Sequence, residues 1–507
     1  MPKLPFEDWI KPLTKDTIAT LPSFLRNSAK QLYIDGREQP CAEGGTLETY
    51  NPATGQVLAT LARGTSEDID RAVAVARAAF NGPWSEYTPA ERQGVLLSIA
   101  DAIEANFEEF AQVESLDVGV PLHRVLGMKG AITNIIRFFA SQALQCRGET
   151  FDSPYKGDFT SMILKAPVGV VGGIIPWNAP LISIWWILGG VLATGCTTVI
   201  KPAEDASLSA LLMARVMSEA GLPDGVVNIV TGAGSVAGSA LAHHPDVDRI
   251  AFTGSTATGR EIIKASAVNM KRVQLELGGK SPDIIFDDAD LERAVPGAAM
   301  GVYSNSGQIC FAGTRVFVQR SIQDEFVEKL SAFSKTVKVG APTAQDTMLG
   351  PLVSQAQLDR VMGYIQIGQD EGAKLVSGGN RLGGDLASGY YVEPTVFSGV
   401  SNDMRIAREE IFGPVISVIP FDTAEEALAL ANDTEYGLGG AVWTQNLGRA
   451  MKMVHGIKAG QVWVNCYGLI DPMVGFGGVK SSGYGWKGGT RHVDGYLYEK
   501  AVTLKAS

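Results

Sequence analysis

Cysteine is scarce in this chain, with five residues in 507. Cys41, Cys146, Cys196, Cys310 and Cys466 are widely spread and odd in number. That argues against a disulfide framework, shows no zinc-ligand spacing, and points to a reducing compartment. Basic charge is also short. A formal net charge of −11 argues against a nucleic-acid or anionic-membrane partner, since both reward a basic surface. The first thirty residues lack both a charged-then-apolar leader and an Arg-rich, acid-poor one. Lys3, Glu7, Asp8, Lys11, Lys15 and Asp16 mix there with Pro2, Pro5 and Pro12, so a cytoplasmic location is expected. Long apolar runs are lacking too. The longest, Pro180 to Ile200, is broken by Gly189, Gly190 and Gly195 and reads as a buried helix plus a strand, with no membrane span expected. No internal repeat, low-complexity tract or Pro-rich linker is present.

What the chain does have is ordinary globular material. Hydrophobic residues make up 45% and charged residues 19%, enough for sizeable cores, and the length suits several domains. The 58 glycines suit a fold with many tight strand-to-helix turns. From Gln31 to Val57 the pattern is short and strand-like, with a turn at Asn51-Pro52-Ala53-Thr54-Gly55. Thr65 and Asp68 then form a capping-box pattern ahead of Ile69, Ala72, Val73, Ala76 and Phe80, which recur on one helical face. Further helices are predicted from Pro89 to about Glu114 and from Pro121 to about Cys146.

The middle of the chain alternates. Strands Val168 to Ile175, Thr197 to Ile200, Val226 to Val230 and Arg249 to Phe252 interleave with helices Pro180 to Thr194, Ser207 to Ala220, one from Ser235, and Ser255 to Ala267. Such repetition predicts an α/β fold with a parallel sheet and ligands at the carboxyl ends of its strands. After Gly278 a second α/β region runs to about Ser481, with helices Ile322 to Val337, Gln355 to Glu371 and Ala424 to Asn432. Gly148 to Pro167 and the tail Gly485 to Ser507 look strand-like, and each would leave an edge for a partner subunit to cover.

Several residues carry chemistry in context. Cys310 follows Asn305-Ser306-Gly307-Gln308-Ile309. An isolated cysteine is usually a small buried hydrophobe, but free N–H groups in a turn here would favour a thiolate. Glu276 ends the strand Arg272 to Leu275 and precedes Gly278-Gly279, whose lack of side chains allows close backbone approach. It reads either as a solvated end residue or as a general base. Asn178, in Ile174-Ile175-Pro176-Trp177-Asn178, is either a helix cap or a donor to a developing oxyanion. Gly254-Ser255-Thr256 leads into a helix whose free N–H groups suit a pyrophosphate. Gly232-Ala233-Gly234-Ser235-Val236-Ala237-Gly238 also follows a strand but misses the dinucleotide fingerprint by one residue, so the phosphate role goes to the first turn.

Pro176-Trp177-Asn178, Lys201-Pro202-Ala203-Glu204, Gly254-Ser255-Thr256, Glu276-Leu277-Gly278-Gly279-Lys280-Ser281-Pro282, Gly307-Gln308-Ile309-Cys310 and Glu410-Ile411-Phe412-Gly413-Pro414 stand in this order. The chain from about Gln31 to Leu504 thereby resembles the NAD(P)-dependent aldehyde dehydrogenases of the hydrolytic type. The resemblance implies a Rossmann-like cofactor domain (1–147 and 168–278), a second α/β catalytic domain (279–481) and a small β oligomerisation element (148–167 and 482–507). A homodimer or homotetramer is expected. Cys310 would attack the aldehyde to form a thiohemiacetal, with the oxyanion held by Asn178 and the Cys310 N–H. Hydride passes to the nicotinamide, and Glu276 activates water to hydrolyse the thioester.

By similarity Lys201 and Glu204 hold the adenosine ribose, Ser255 the pyrophosphate, and Glu410 and Phe412 the nicotinamide end. Trp177 and Gln357 match weaker contacts, with Ile174, Pro176, Gly254, Thr256, Gly259 and Leu277 around them. A carboxylate at Glu204 would repel a 2′-phosphate, so NAD is expected over NADP.

The chain also departs from its relatives. Ile187, directly after Trp186, stands where many carry a lysine, and Gly485-Trp486-Lys487 replaces Gly-Arg-Glu. In those relatives the lysine and the second glutamate relay protons for the base. Either water serves Glu276 directly here, or Lys487 supplies a cation from the opposite wall. The substrate-facing positions implied by similarity are Ala179, Ile182, Trp185, Trp186, Ile309, Phe311, Ile470 and Phe476. This set contains no Arg or Lys to receive a carboxylate, so an aliphatic, terpenoid or aromatic aldehyde is expected rather than a semialdehyde acid or betaine aldehyde. Transfer of the thioester to coenzyme A is a rival, disfavoured by the presence of Glu276. A catalytically silent binding protein is disfavoured by the presence of Cys310, Glu276 and Asn178 together. No metal ligand set is apparent.

Overall fold

Five strands lie side by side in parallel, in the order Arg272–Glu276, Arg249–Thr253, Val170–Ile174, Thr197–Lys201 and Val227–Ile229. The computed structural model describes residues 21–506, so the charged and proline-rich start, Pro2 to Asp16, and Ser507 lie outside the described residues. Val170–Ile174 and Thr197–Lys201 are buried at every position, as befits strands covered on both faces. Antiparallel strands finish this sheet, Gly483–Tyr484 at one edge and Leu32–Ile34 with Arg37–Gln39 at the other. From Val170–Ile174 the chain steps outward to Thr197–Lys201 and Val227–Ile229, then returns to place Arg249–Thr253 and Arg272–Glu276 on the opposite side. The reversal opens a crevice where Ile174 and Thr253 end, the position at which such sheets bind ligands.

The helices obey their local signals with several breaks. Thr65 donates its backbone N–H to Asp68 at 3.0 Å, closing the expected box ahead of Ser66–Asn81. Residues 89–114 do not form one helix: Pro89–Ala105 ends at Asn106, and Phe107–Val118 begins anew. The stretch after Pro121 also divides, into Leu122–Gly127 and Lys129–Ala143, and Pro180–Ser183 is separated from Trp185–Thr194. After Ala233 the chain forms a wide π turn, Gly234–Gly238, before the short helix Ser239–His243. Each break leaves apolar side chains on both of its sides in one core. Periodicity alone does not register such a break. The apolar run 180–200 is buried apart from the half-buried Ile182 and Ser183, and no helix among the described residues is long and apolar enough to cross a membrane.

A second sheet of seven strands runs Lys374–Ser377, Thr395–Ser398, Val415–Phe421, Arg315–Gln319, Pro282–Ile285, Gly439–Trp443 and Gln461–Val464, parallel except at Lys374–Ser377. Helices Gln323–Thr336, Gln355–Asp370 and Ala424–Asn432 match expectation, the last capped by the Thr423 hydroxyl accepting from Glu426 N at 3.2 Å. The two strand-like pieces outside these sheets pair with each other, Leu497–Lys505 against Phe159–Pro167, and Glu149–Asp152 completes a three-stranded antiparallel sheet. The tail is not strand from Gly485. Lys487 bridges to Phe476, and Gly489–Asp494 is helical before the strand starts.

Helix Phe107–Val118 buries two acids. Asp117 accepts from the Thr49 hydroxyl at 2.7 Å and from Leu208 N at 3.0 Å, while Glu114 accepts from Leu181 N at 3.3 Å. Burial pushes the Glu114 carboxyl from 4.5 up to about 8 and Asp117 from 3.8 up to about 7. A carboxyl raised in the folded state holds its proton where the unfolded chain has released it. Folding free energy is therefore lost as pH climbs between 4.5 and 8, by up to about 1.4 kcal/mol per pH unit for Glu114. Glu114→Gln, which keeps an acceptor for Leu181, should flatten the decline in Tm between pH 5 and pH 8. An unchanged slope by calorimetry would show that Glu114 ionises without cost.

Candidate active site

Three successive residues in left-handed backbone, Asn305 (φ 51°), Ser306 (φ 56°) and Gly307 (φ 76°), turn the chain after helix Leu291–Tyr303. Such a run is strained for side-chain-bearing residues and persists only where surroundings enforce it. Here the Ser306 hydroxyl donates to Gly350 O at 2.8 Å, and the Asn305 amide donates to Asn178 O at 2.8 Å. A Cβ on Gly307 would lie 2.1 Å from the Gly413 carbonyl, and one on Gly279 would lie 2.3 Å from the Cys310 carbonyl. Glycine is therefore required at both walls of the Cys310 loop.

Three elements meet at Cys310. Glu276 ends its strand, 5% exposed, and Oε1 has no hydrogen-bond partner. The Asn178 amide donates to Gln308 O at 2.8 Å, which pins it beside the loop and leaves its second N–H for another acceptor. The Cys310 N–H donates to no protein acceptor among the described residues. Together these form a half-buried nucleophile, a carboxylate and two converging donors, the parts required for acyl chemistry at a carbonyl carbon.

The thiol departs from expectation. Burial, and next the negative charge of Glu276, push Cys310 well above its ordinary value, with Lys487 only partly opposing them. The turn thus does not generate a standing thiolate. Low dielectric and a neighbouring carboxylate outweigh any free N–H groups.

Lys487 reaches this centre from the far end of the chain. Its ammonium donates to Glu276 Oε2 at 2.6 Å and to the Thr253 hydroxyl at 2.8 Å, and it is 6% exposed. Backbone bonds between Lys487 and Phe476, at 2.6 and 2.7 Å, hold the residue in place. Ile187 takes no part. It is buried in helix Trp185–Thr194, packed against the strand residue Gly173.

A cavity of about 550 Å³ runs past these groups. On one side lie Pro176, Trp177, Gly254, Ser255 and Leu277, then Gln357, Glu410 and Phe412. Ser255 caps helix Thr256–Ser266, accepting from Thr258 N at 3.2 Å. Glu410 accepts from Gly279 N at 3.0 Å, and burial raises its carboxyl to about 7. Phe412 (φ 62°) stands edge-on to Trp177 at 5.2 Å, with its carbonyl held by the Gln357 amide at 2.7 Å. Ile174, Thr256 and Gly259 lie behind this wall, with Gly259 packed tightly on Leu277. Lys201 and Glu204 are off the main cavity. Lys201 Nζ donates to Glu204 Oε2 at 2.8 Å, and Gly234 N donates to Glu204 Oε1 at 3.2 Å. The glycine loop set aside from its sequence thus sits against Glu204. Burial alone would raise the Glu204 carboxyl, but Lys201 and these bonds hold it below the ordinary range.

On the other side Ala179, Ile182, Trp186, Ile309, Phe311, Ile470 and Phe476 line the cavity as expected. Trp185 does not. It is fully buried beneath the helix, because adjacent helical residues point about 100° apart and Trp186 takes the open face. Reading the sequence missed the wall contributed by 120–135, including Val120, Arg124, Met128 and Ile135, and also Glu114, Thr253 and Arg360. Arg124 adds a cation to a cavity wall for which the eight positions read from the sequence supply none. Nothing in its local pattern, one arginine in an apolar helix, distinguishes it from a solvated residue.

The family described as "Aldehyde dehydrogenase family" matches residues 40–502. Aldehyde dehydrogenase 1 of Tanacetum cinerariifolium is 46% identical over 93% of this chain and 94% of its own length. A solved variant of Bacillus cereus aldehyde dehydrogenase superposes with TM-score 0.93 at 45% identity, covering 98% of this chain and 99% of that one. Staphylococcus aureus betaine aldehyde dehydrogenase, solved with NAD+, gives TM-score 0.94 at 39% identity over 96% and 97% of the two chains.

Proposed function

The chain belongs to the aldehyde dehydrogenase family, and from that premise we propose that it oxidises aldehydes with an apolar body to carboxylic acids, with NAD as oxidant and by hydrolysis of a Cys310 thioester. The observation that carries this reading is the meeting of Cys310, Glu276 and Asn178 at one cavity.

The residues present fit a nicotinamide dinucleotide. Ser255 and the start of its 11-residue helix offer N–H groups to a pyrophosphate. The Glu204 carboxylate, fixed by Lys201 and Gly234, accepts from a ribose 2′-hydroxyl and repels a 2′-phosphate. Glu410, Phe412, Gln357 and Trp177 line the other end. When bound, the cofactor supplies the acceptor for the hydrogen and electron pair leaving the adduct carbon.

The protein's own groups do the rest. Glu276 Oε1 takes the thiol proton as Sγ bonds to the aldehyde carbon. The oxygen of the resulting thiohemiacetal is held by the Asn178 amide and the Cys310 N–H. After oxidation the carbon is a thioester; Glu276, having released the thiol proton to solvent, removes a proton from the attacking water and returns it to Sγ as the thioester bond breaks. Lys487, with no relay lysine at Ile187, pairs directly with the base. Exposed strands such as Glu149–Asp152 offer an edge for a homodimer or homotetramer.

The test is a panel of alkanals, terpenoid and aromatic aldehydes with NAD or NADP, followed by absorbance of the reduced nicotinamide. Rapid NAD reduction is expected, with kcat/KM for NADP at least roughly 100-fold lower because a phosphate meets a fixed carboxylate. No stimulation by coenzyme A is expected. Absence of reduction with every aldehyde defeats the proposal, and product appearing only with coenzyme A would replace hydrolysis by acyl transfer.

A further inference from the structure

Arg124 stands in helix Leu122–Gly127 and lines the cavity among Val120, Val125, Met128 and Ile135. Its guanidinium has no hydrogen-bond or carboxylate partner among the described residues, and burial alone lowers it from 12.5 to about 10, with no opposing acid. It therefore stays charged at neutral pH. The other cations on the cavity wall are committed, Lys487 to Glu276 and Arg360 to the carbonyls of Glu410 and Ile411. Glu114, on the same cavity, is neutralised by burial, which raises it to about 8, and is held by Leu181 N. A buried charge without a counter-ion is costly to a folded chain, and an anion entering the cavity would offset that cost.

We infer that Arg124 seats an anionic carboxylate at the far end of the substrate, so that the aldehydes this enzyme prefers are semialdehydes of dicarboxylic acids with an apolar spacer. The inference rests on the proposed aldehyde oxidation and narrows its substrate class. The apolar wall then packs the spacer, and the planar guanidinium fork pairs with the carboxylate by two parallel hydrogen bonds. Arg124 is a binding residue, so its effect falls on KM more than on kcat.

The experiment compares kcat/KM for semialdehydes of several chain lengths with that for their methyl esters, in the wild-type enzyme, Arg124→Met and Arg124→Lys. The acid is expected to be preferred over the ester at one optimal length. That ratio should fall about 10- to 100-fold in Arg124→Met, through KM, and recover in part in Arg124→Lys, the range expected for a charge-assisted pair. Equal treatment of acid and ester by the wild-type enzyme, at every length, overturns the inference while leaving aldehyde oxidation standing. So does an Arg124→Met enzyme whose acid-to-ester ratio is unchanged. If the Met variant fails to fold, the wild-type ratio and the Lys variant decide. If no acid or ester is oxidised at all, the underlying reading falls and takes the inference with it.

Discussion

Glu276→Gln should lower kcat by about 1,000-fold, within the range lost when a positioned general base is removed. The amide keeps the shape and still accepts a hydrogen bond from Lys487, now at 2.6 Å from Glu276 Oε2, so the site stays assembled. What is lost is the ability to take a proton. Because Cys310 rests as a thiol well above its ordinary value, the loss acts twice, at attack and at thioester hydrolysis. Stopped-flow measurement should show both a slowed first turnover of nicotinamide reduction and a slower steady state, with acylated protein visible by intact mass. A first turnover at wild-type speed followed by a slow steady state would confine Glu276 to hydrolysis. A kcat within about threefold of wild type would remove it from the mechanism.

Lys487→Met should both destabilise the protein and slow its reaction. Glu276 and Lys487 are 5% and 6% exposed, and removing one partner leaves the other buried without a counter-ion. Breaking such a pair typically costs about 3–5 kcal/mol, which would read out as a lowered Tm. At pH 7 the rate should fall by roughly 100-fold as base function is lost. Lys487 also pulls the Cys310 thiol downward, so iodoacetamide should alkylate Cys310 more slowly in the variant. An unchanged kcat together with unchanged alkylation would reduce Lys487 to a structural residue. Water would then be the proton partner of Glu276.

The contrast between these two residues shows where sequence reading stops. Glu276 is legible because its signal is local, a strand end followed by Gly278-Gly279, and the same holds for Asn178 after an apolar strand and Cys310 after Gly307. The glycines prove necessary, since a side chain on Gly279 would strike the Cys310 carbonyl. The alternation of strand and helix from Val168 to Ala267 is legible for the same reason, with turn residues and apolar spacing acting over a few positions. Helix breaks at Asn106 and Met128 are not, because both sides of each break carry apolar residues that enter one core.

By itself, then, the amino-acid sequence determined the α/β alternation and the family, and singled out Cys310, Glu276 and Asn178, which the fold brings to one cavity. Each is encoded by the conformational preferences of neighbours in the chain. Only the tertiary structure decided that Lys487 meets Glu276 across 211 positions, that Trp186 rather than Trp185 faces the cavity, that the thiol keeps its proton, and that Arg124 stands in the cavity uncompensated. Those outcomes depend on which distant surfaces pack together and how much water they exclude. Distance and burial set a charge's partners and its ionisation, and neither is written in any short stretch of residues.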